Sequence, residues 1–133
     1  MSSWSNSEKF RACIESAEFG PLTDVYAPGA LLDATVGAWR FQRQGQEAIV
    51  RQFESWYATP ARLLRWRELP TDWGVVIEAE ESQGDGEAEV YFRYVNLLFT
   101  DDDRITQHVC YCSGPWDVAT VRRHAAEAPM VRP

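Results

Sequence analysis

The sequence predicts an α+β fold, with helices packed on one face of a mostly antiparallel sheet, and three features carry that expectation. Apolar residues recur at helical spacing before residue 60, four segments rich in β-branched and aromatic residues follow from Arg62, and short turn signals separate those segments. Helices first and a long meander afterwards is the order of an α+β domain.

The first helix is expected over roughly residues 6 to 18. Phe10, Cys13, Ile14 and Ala17 fall on one helical stripe, Ser5 with Glu8 reads as a capping box, and Gly20 can close the helix. Pro21 suits the first turn of a second, short helix through Tyr26, and Pro28-Gly29 turns the chain into a strand. Gly45 opens a third helix whose apolar face is Ile49, Phe53, Trp56 and Tyr57, ending before Pro60. The β segments run from Arg62 to Leu69, Trp73 to Gln83, Glu87 to Thr100 and Arg104 to Ser113, broken by Pro70, Asp85-Gly86 and Asp101-Asp102-Asp103. Asp117 can cap a last helix carrying Val118, Val121 and Ala125 on one side. No repeat, low-complexity tract or linker divides the 133 residues, so a single domain is expected.

With 45% hydrophobic and 13% aromatic residues the chain can bury a proper core. Its net charge of −7, from 20 acids and 13 bases spread along the chain, argues against a nucleic-acid surface or an anionic membrane. No apolar stretch approaches the ~20 residues of a membrane span, and Met1 to Ser5 has neither the charged start nor the apolar centre of a signal peptide. A cytoplasmic protein is therefore expected. Cys13, Cys110 and Cys112, an odd number, fit free thiols in a reducing compartment.

Asp33 stands inside the run Ala30-Leu31-Leu32-Asp33-Ala34-Thr35-Val36. A carboxylate there must be protonated, paired or set at a cavity, because an unpaired charge in apolar surroundings is expensive. It is either a site residue or half of a structural ion pair with a base such as Arg40 or Arg43. A two-residue turn at Asp85-Gly86 places Gly84 opposite Glu87, Arg93 opposite Glu78 and Tyr91 opposite Glu80. A second such turn at Asp102-Asp103 places His108 across from Leu97, on the face of Arg93 and Glu78. The other face carries Trp73, Val75, Ile77 and Ala79 against Phe92, Tyr94, Asn96 and Leu98, a broad apolar surface that helices or a second subunit must cover. Glu78, Arg93 and His108 are then either a solvated ion pair beside a surface imidazole, or an acid/base group beside a charge-stabilising guanidinium.

The run His108-Val109-Cys110-Tyr111-Cys112 puts an imidazole and two thiols on one side of a strand. Same-side neighbours are about 6.6 Å apart, so His108 and Cys112 differ by about 13 Å, too far to share a zinc ion. Parallel side chains at Cys110 and Cys112 suit pocket or core thiols better than a disulfide. The acid triplet at 101 to 103 reads as a solvated turn and His124 as an exposed helix residue. There is no Gly-rich phosphate loop, Gly-x-Ser-x-Gly elbow or His-Glu-x-x-His motif, which leaves nucleotide, serine-hydrolase and zinc-protease readings without support. No cofactor and no metal is expected.

Three local patterns resemble the nuclear transport factor 2-like superfamily: Tyr26-Ala27-Pro28-Gly29-Ala30 before a strand, Gly45-Gln46-Glu47-Ala48-Ile49 at a helix start, and Asp103-Arg104-Ile105 at a late strand. The resemblance spans roughly residues 8 to 113 and, within the superfamily, points to the SnoaL-like polyketide cyclases and the ketosteroid isomerases. It implies a cone-shaped fold, a curved sheet wrapped around a deep apolar pocket closed by the helices, commonly in dimers that meet through the outer sheet face. It implies that the polar face turns inward, so that Arg93, His108 and Cys112 are pocket residues while Trp73, Phe92, Tyr94 and Tyr111 form the dimer surface. Val95 then falls where the isomerases carry an oxyanion-hole acid, and the isomerase base falls nearest Ala34, one residue after Asp33. The cyclases' last strand often reads His-Trp-Asp, where this chain has His108-Val109-Cys110.

The function this implies is binding of an apolar small molecule in the cone, with cofactor-free acid/base chemistry of the isomerase, cyclase or dehydratase kind. Asp33 or His108 is the candidate acid or base and Arg93 the stabiliser of a developing negative charge. Tyr26, Trp39 and Trp56 are candidate walls, with Glu78, Tyr91, Val95, Cys110 and Cys112 around the ligand. The alternative is a non-catalytic ligand-binding or accessory dimerisation module in which Asp33 is a structural partner of Arg40 or Arg43. The expected partners are the ligand and a second copy of the chain.

Overall fold

Phe10, Cys13 and Ile14 bury one stripe of a helix over Ser7–Ser16 (α1), and Ala17, at φ 59°, ends it by returning its N–H to the Cys13 carbonyl at 2.9 Å. In the computed structural model, which describes residues 4–132, Ser5 does not form the expected capping box. Its hydroxyl donates instead to Asp103 Oδ2 at 2.9 Å, tying the start of the chain to a distant hairpin turn.

A 3₁₀ turn at Gly20–Asp24 replaces the short helix expected through Tyr26, because Tyr26 already pairs with Ile105 as the first residue of β1 (Tyr26–Val36). Pro28-Gly29 sits within this strand as an irregularity, with Gly29 at φ 76°. β2 (Trp39–Gln44) runs back along β1. Its exposed residues Trp39, Arg40, Gln42, Arg43 and Gln44 give it no buried alternation, which is why the sequence pattern does not reveal it. α2 (Gln46–Trp56) follows from Gly45 and buries Ile49 and Phe53. The chain then forms β3 (Arg62–Pro70), β4 (Gly74–Gln83), β5 (Val90–Asp101) and β6 (Arg104–Cys112), the short β7 (Trp116–Asp117), and α3 (Val118–Glu127). Asp117 caps α3 by accepting the Thr120 N–H at 2.7 Å. His124 of α3 is half-buried, edge-on to Trp116 with ring centroids 5.0 Å apart.

The seven strands make one sheet in the order β2-β1-β6-β5-β4-β3, with β7 pairing β5 beyond the end of β6. β1 and β6 are parallel and the other pairs antiparallel, so the sheet is mostly antiparallel, as an α+β cone requires. α1 and α2 cover the face that carries Val75, Ile77, Ala79, Tyr94 and Leu98. This is the reverse of the facing that the resemblance implied. Phe10, Ile14, Ile49 and Phe53 of the helices need an apolar partner surface, and this face is the one that supplies it.

Two local irregularities decide which side chains meet. Between β4 and β5 the chain does not make a two-residue turn: Gly84 takes φ 80° and a 3₁₀ turn over Gly86–Ala88 lengthens the loop. Arg93 consequently pairs with Glu80 and Tyr91 with Ser82, two residues from the expected partners and on unchanged faces. Asp102 and Asp103, at φ 53° and 63°, do form a two-residue turn with both central residues left-handed. Yet a register shift between Phe99 and Thr100 sets His108 opposite Leu98 instead of Leu97. A slip of one residue turns a side chain to the other face, so His108 parts from Arg93 and Glu78 and joins Tyr94 and Asn96.

Gly74 opens β4 at φ 155°, where an added Cβ would lie 1.9 Å from the Leu98 carbonyl oxygen. Gly74→Ala should therefore destabilise by roughly 2–3 kcal/mol, read as a lower urea midpoint at an unchanged m-value.

Candidate functional site

Where α1 and α2 meet the inner face of the sheet they leave a cavity of about 80 Å³, several times the space one water needs. Ile14, Phe53 and Trp56 wall it from the helices, and Phe92, Tyr94, Asn96 and His108 from the sheet. Phe53 organises the aromatic side. It stacks on Tyr57 with centroids 6.3 Å apart and meets Trp56 edge-on at 5.4 Å.

Two polar groups break this lining. The first follows from strand alternation: Val75, Ile77 and Ala79 face inward, so Glu81 must as well, and it is 1% exposed. Tyr57 donates to its Oε1 at 2.8 Å and Gln83 Nε2 to its Oε2 at 3.0 Å. Tyr94 also interacts with this carboxylate, although its buried hydroxyl forms no hydrogen bond of standard geometry. Burial raises the Glu81 pKa above the usual carboxylate range, and the contacts with Tyr94, Gln83 and Tyr57 pull it down by less. Such a carboxyl holds its proton to higher pH, and once ionised it is a stronger base than a surface carboxylate.

The second group is His108, 1% exposed, with Nδ1 2.8 Å from the Tyr26 hydroxyl and Nε2 2.8 Å from Asn96 Oδ1. Burial pushes its pKa down to about 3, so the ring is neutral at ordinary pH. With the ring neutral and both its nitrogens engaged by Tyr26 and Asn96, His108 is set as a fixed hydrogen-bonding element in the cavity wall. Burial also raises the thiols of Cys110 and Cys112, both on the cavity, which keeps them protonated and poorly nucleophilic.

Of the residues singled out in the sequence, His108, Trp56, Cys110 and Cys112 line the cavity and Tyr26 touches it through His108. The others lie elsewhere. Asp33 is on the outer face, where Arg40 Nε and Nη2 grip its Oδ1 and Oδ2 at 2.9 and 2.6 Å and Gln42 adds a bond at 3.2 Å. The Arg40 guanidinium holds the Asp33 carboxyl below its ordinary pKa, the state of a committed ion pair. Arg93 is exposed on the same outer face, its Nε 3.3 Å from Glu80 Oε1. Glu78 faces Arg65 and Arg67 at 3.4 and 3.0 Å, and Val95 lies between Glu78 and Tyr111 in the ladder. Tyr91 donates to Glu89 Oε1 at 2.8 Å, and Trp39 is 72% exposed at the β1–β2 turn. The expected group of Glu78, Arg93 and His108 is thus split across the sheet by the shift at Phe99.

Sequence reasoning passed over Glu81, Tyr57, Tyr94 and Asn96 as site residues. The signal for Glu81 was present, since it continues the inward alternation of β4. Asn96 and Tyr94 were assigned to the right face of β5, and that face was then turned outward by the resemblance.

An open, curved α+β sheet whose helices close one face over a cavity with a carboxyl and an imidazole in its wall defines a cone-type pocket domain. No protein-family model and no curated protein sequence matches the chain. Solved structures do match. An NTF2-like protein from Anabaena variabilis aligns with a TM-score of 0.67 at 16% identity, over 84% of this chain and 93% of that one. An LEH-like epoxide hydrolase from M. tuberculosis aligns with a TM-score of 0.64 at 15% identity, over 90% and 81%. An NTF2-like protein of unknown function from Mesorhizobium loti aligns with a TM-score of 0.61 at 21% identity, over 81% and 88%. The chain has the nuclear transport factor 2-like fold, and at these identities the likeness is one of fold. Among the described residues no helix is long and apolar enough to cross a membrane.

Proposed function

We propose that the chain binds a small, mainly apolar molecule in its cone and moves a proton on it with Glu81, without a cofactor. The observation that carries this reading is the Glu81 carboxyl, buried on an otherwise largely aromatic and aliphatic cavity and kept there by Tyr57 and Gln83. Structural carboxylates are seldom buried without a base beside them, and the partners of Glu81 are neutral. Proton transfer next to a carbonyl, as in an isomerase, cyclase or dehydratase, is the chemistry such a group performs.

Exchange of the α-protons of cyclopentanone in D₂O tests this. The wild-type protein should accelerate exchange, and Glu81→Gln should lose at least about 100-fold while still binding the ketone, followed by tryptophan fluorescence. Equal rates in the two proteins would remove Glu81 from the chemistry. Binding with exchange no faster than buffer would favour the second reading, a ligand-binding module without turnover. One observation supports that reading: Asp33 is committed to Arg40 and His108 is held neutral, so neither of these two supplies a second charge beside Glu81.

We also propose that the outer sheet face pairs with a second copy. Arg65 and Arg67, Glu78 and Glu80, and Arg93 lie in rows of alternating sign beside Tyr111, which is 56% exposed, and such rows are complementary to themselves about a two-fold axis. Light scattering should give the mass of a dimer, and Tyr111→Glu should give a monomer. A monomeric wild type would end this proposal.

A further inference from the structure

Only one placement of protons in the run Tyr26–His108–Asn96 leaves no buried proton stranded. Tyr26 is 0% exposed and among the described residues its hydroxyl has one hydrogen-bond partner, His108 Nδ1 at 2.8 Å. A buried phenol proton needs an acceptor, so Nδ1 must be the accepting nitrogen. The neutral ring then carries its proton on Nε2, and that N–H donates to Asn96 Oδ1 at 2.8 Å. The opposite arrangement, with the Asn96 amide donating to Nε2 and Nδ1–H donating to Tyr26, would leave the phenol proton with nowhere to go.

The consequence lies at the other end of the amide. Asn96 is 3% exposed and lines the cavity, and among the described residues its side chain is hydrogen-bonded to His108 alone. With Oδ1 committed, Nδ2 and its two protons are the free end. A buried amide donor such as Asn96 Nδ2 is unfavourable until an acceptor arrives.

Building on the reading that the cone takes a small apolar molecule, we infer that Asn96 Nδ2 is its recognition donor and that the ligand carries a hydrogen-bond-accepting oxygen of the carbonyl or ether class. His108 and Tyr26 are positioning residues: they hold the amide with its nitrogen toward the ligand and do not touch the ligand's reacting atoms. This separates the conspicuous buried histidine from proton transfer and gives it a role in selectivity.

Two measurements test the inference. Nitrogen-15 NMR of histidine-labelled protein, with a His108→Gln control for assignment, should show His108 as the Nε2–H tautomer from pH 8 to pH 5. An Nδ1–H tautomer would overturn the assignment. Fluorescence titration with cyclopentanone and with methylenecyclopentane, which has the same shape but no acceptor oxygen, should show the wild type preferring the ketone about tenfold. Asn96→Asp, which puts an acceptor where the donor was, should abolish or reverse that preference. Tyr26→Phe, which frees the ring to change tautomer, should weaken the preference, read as the ratio of the two affinities in the same variant. Equal affinities in the wild type, or a preference that survives Asn96→Asp, would overturn the proposal. If neither probe binds, the binding reading itself falls, and the orientation of Asn96 stands or falls on the tautomer alone.

Discussion

Acidification from pH 6.5 to pH 4 should remove about 3 kcal/mol of stability through His108 alone. In the unfolded chain an imidazole binds its proton below about pH 6.5, whereas in the folded protein burial holds His108 neutral down to about pH 3. Across that window the unfolded state therefore binds the extra proton, and stability falls by about 1.4 kcal/mol for each pH unit lost. Above pH 6.5 this contribution is complete and flat. The carboxylates titrate in the same range, so the measurement is a difference: urea unfolding of the wild type and of His108→Gln at several pH values. The gap between the two should close with that slope as the pH falls. A gap independent of pH would show that the ring is already charged, or already wet, in the folded protein. Glu81 works in the opposite sense, because its raised pKa gives a contribution that is full at low pH and is lost as the pH rises through the native value.

Phe53→Ala should cost about 3–5 kcal/mol, the range for removing a large aromatic side chain from a core. Phe53 is 3% exposed and its ring lies 5.4 to 6.4 Å from those of Phe10, Phe19, Tyr26, Trp56, Tyr57 and His108. Truncation would join new empty space to the existing cavity, between side chains that α2 and the sheet keep apart. Because that space is largely apolar, toluene should raise the melting temperature of Phe53→Ala more than that of the wild type. A loss below about 1 kcal/mol, with no response to toluene, would mean that the helices collapse onto the sheet instead.

Much of the fold was legible because its signals are local. The stripe of α1, the helix after Gly45, the cap at Asp117 and the β segments from Arg62 all depend on neighbours a few residues apart, and each appears near its expected place. The strand β2 was not legible, since its exposed residues leave no alternation to read. The site was legible only in part, because it depends on facing, and facing depends on counting residues through turns. The six-residue loop between β4 and β5 moved Arg93 by two positions and left its face intact. The single-residue shift at Phe99 moved His108 by one and changed everything about it. Asp33 shows a different limit. An acid among Leu32, Ala34 and Thr35 looks misplaced until β2 supplies Arg40 across the ladder, and β2 was the strand the sequence concealed.

The shift between Phe99 and Thr100 also bears on how such a cone can change over generations. Thr106 is the extra residue, since Thr100 pairs with Ile105 and Phe99 with Gln107; deleting it would straighten the ladder, keep the turn at Asp102-Asp103, and leave His108 opposite Leu98 and Cys110 opposite Asn96 on the interior face. A one-codon deletion there is thus absorbed by the bend, whereas sliding β6 by one residue to close the bulge with every residue kept would turn Val109 and Tyr111 inward and His108 and Cys110 outward. In a lineage of such cones, this bend would let chain length vary by one residue while the chemistry of the interior stays as it is.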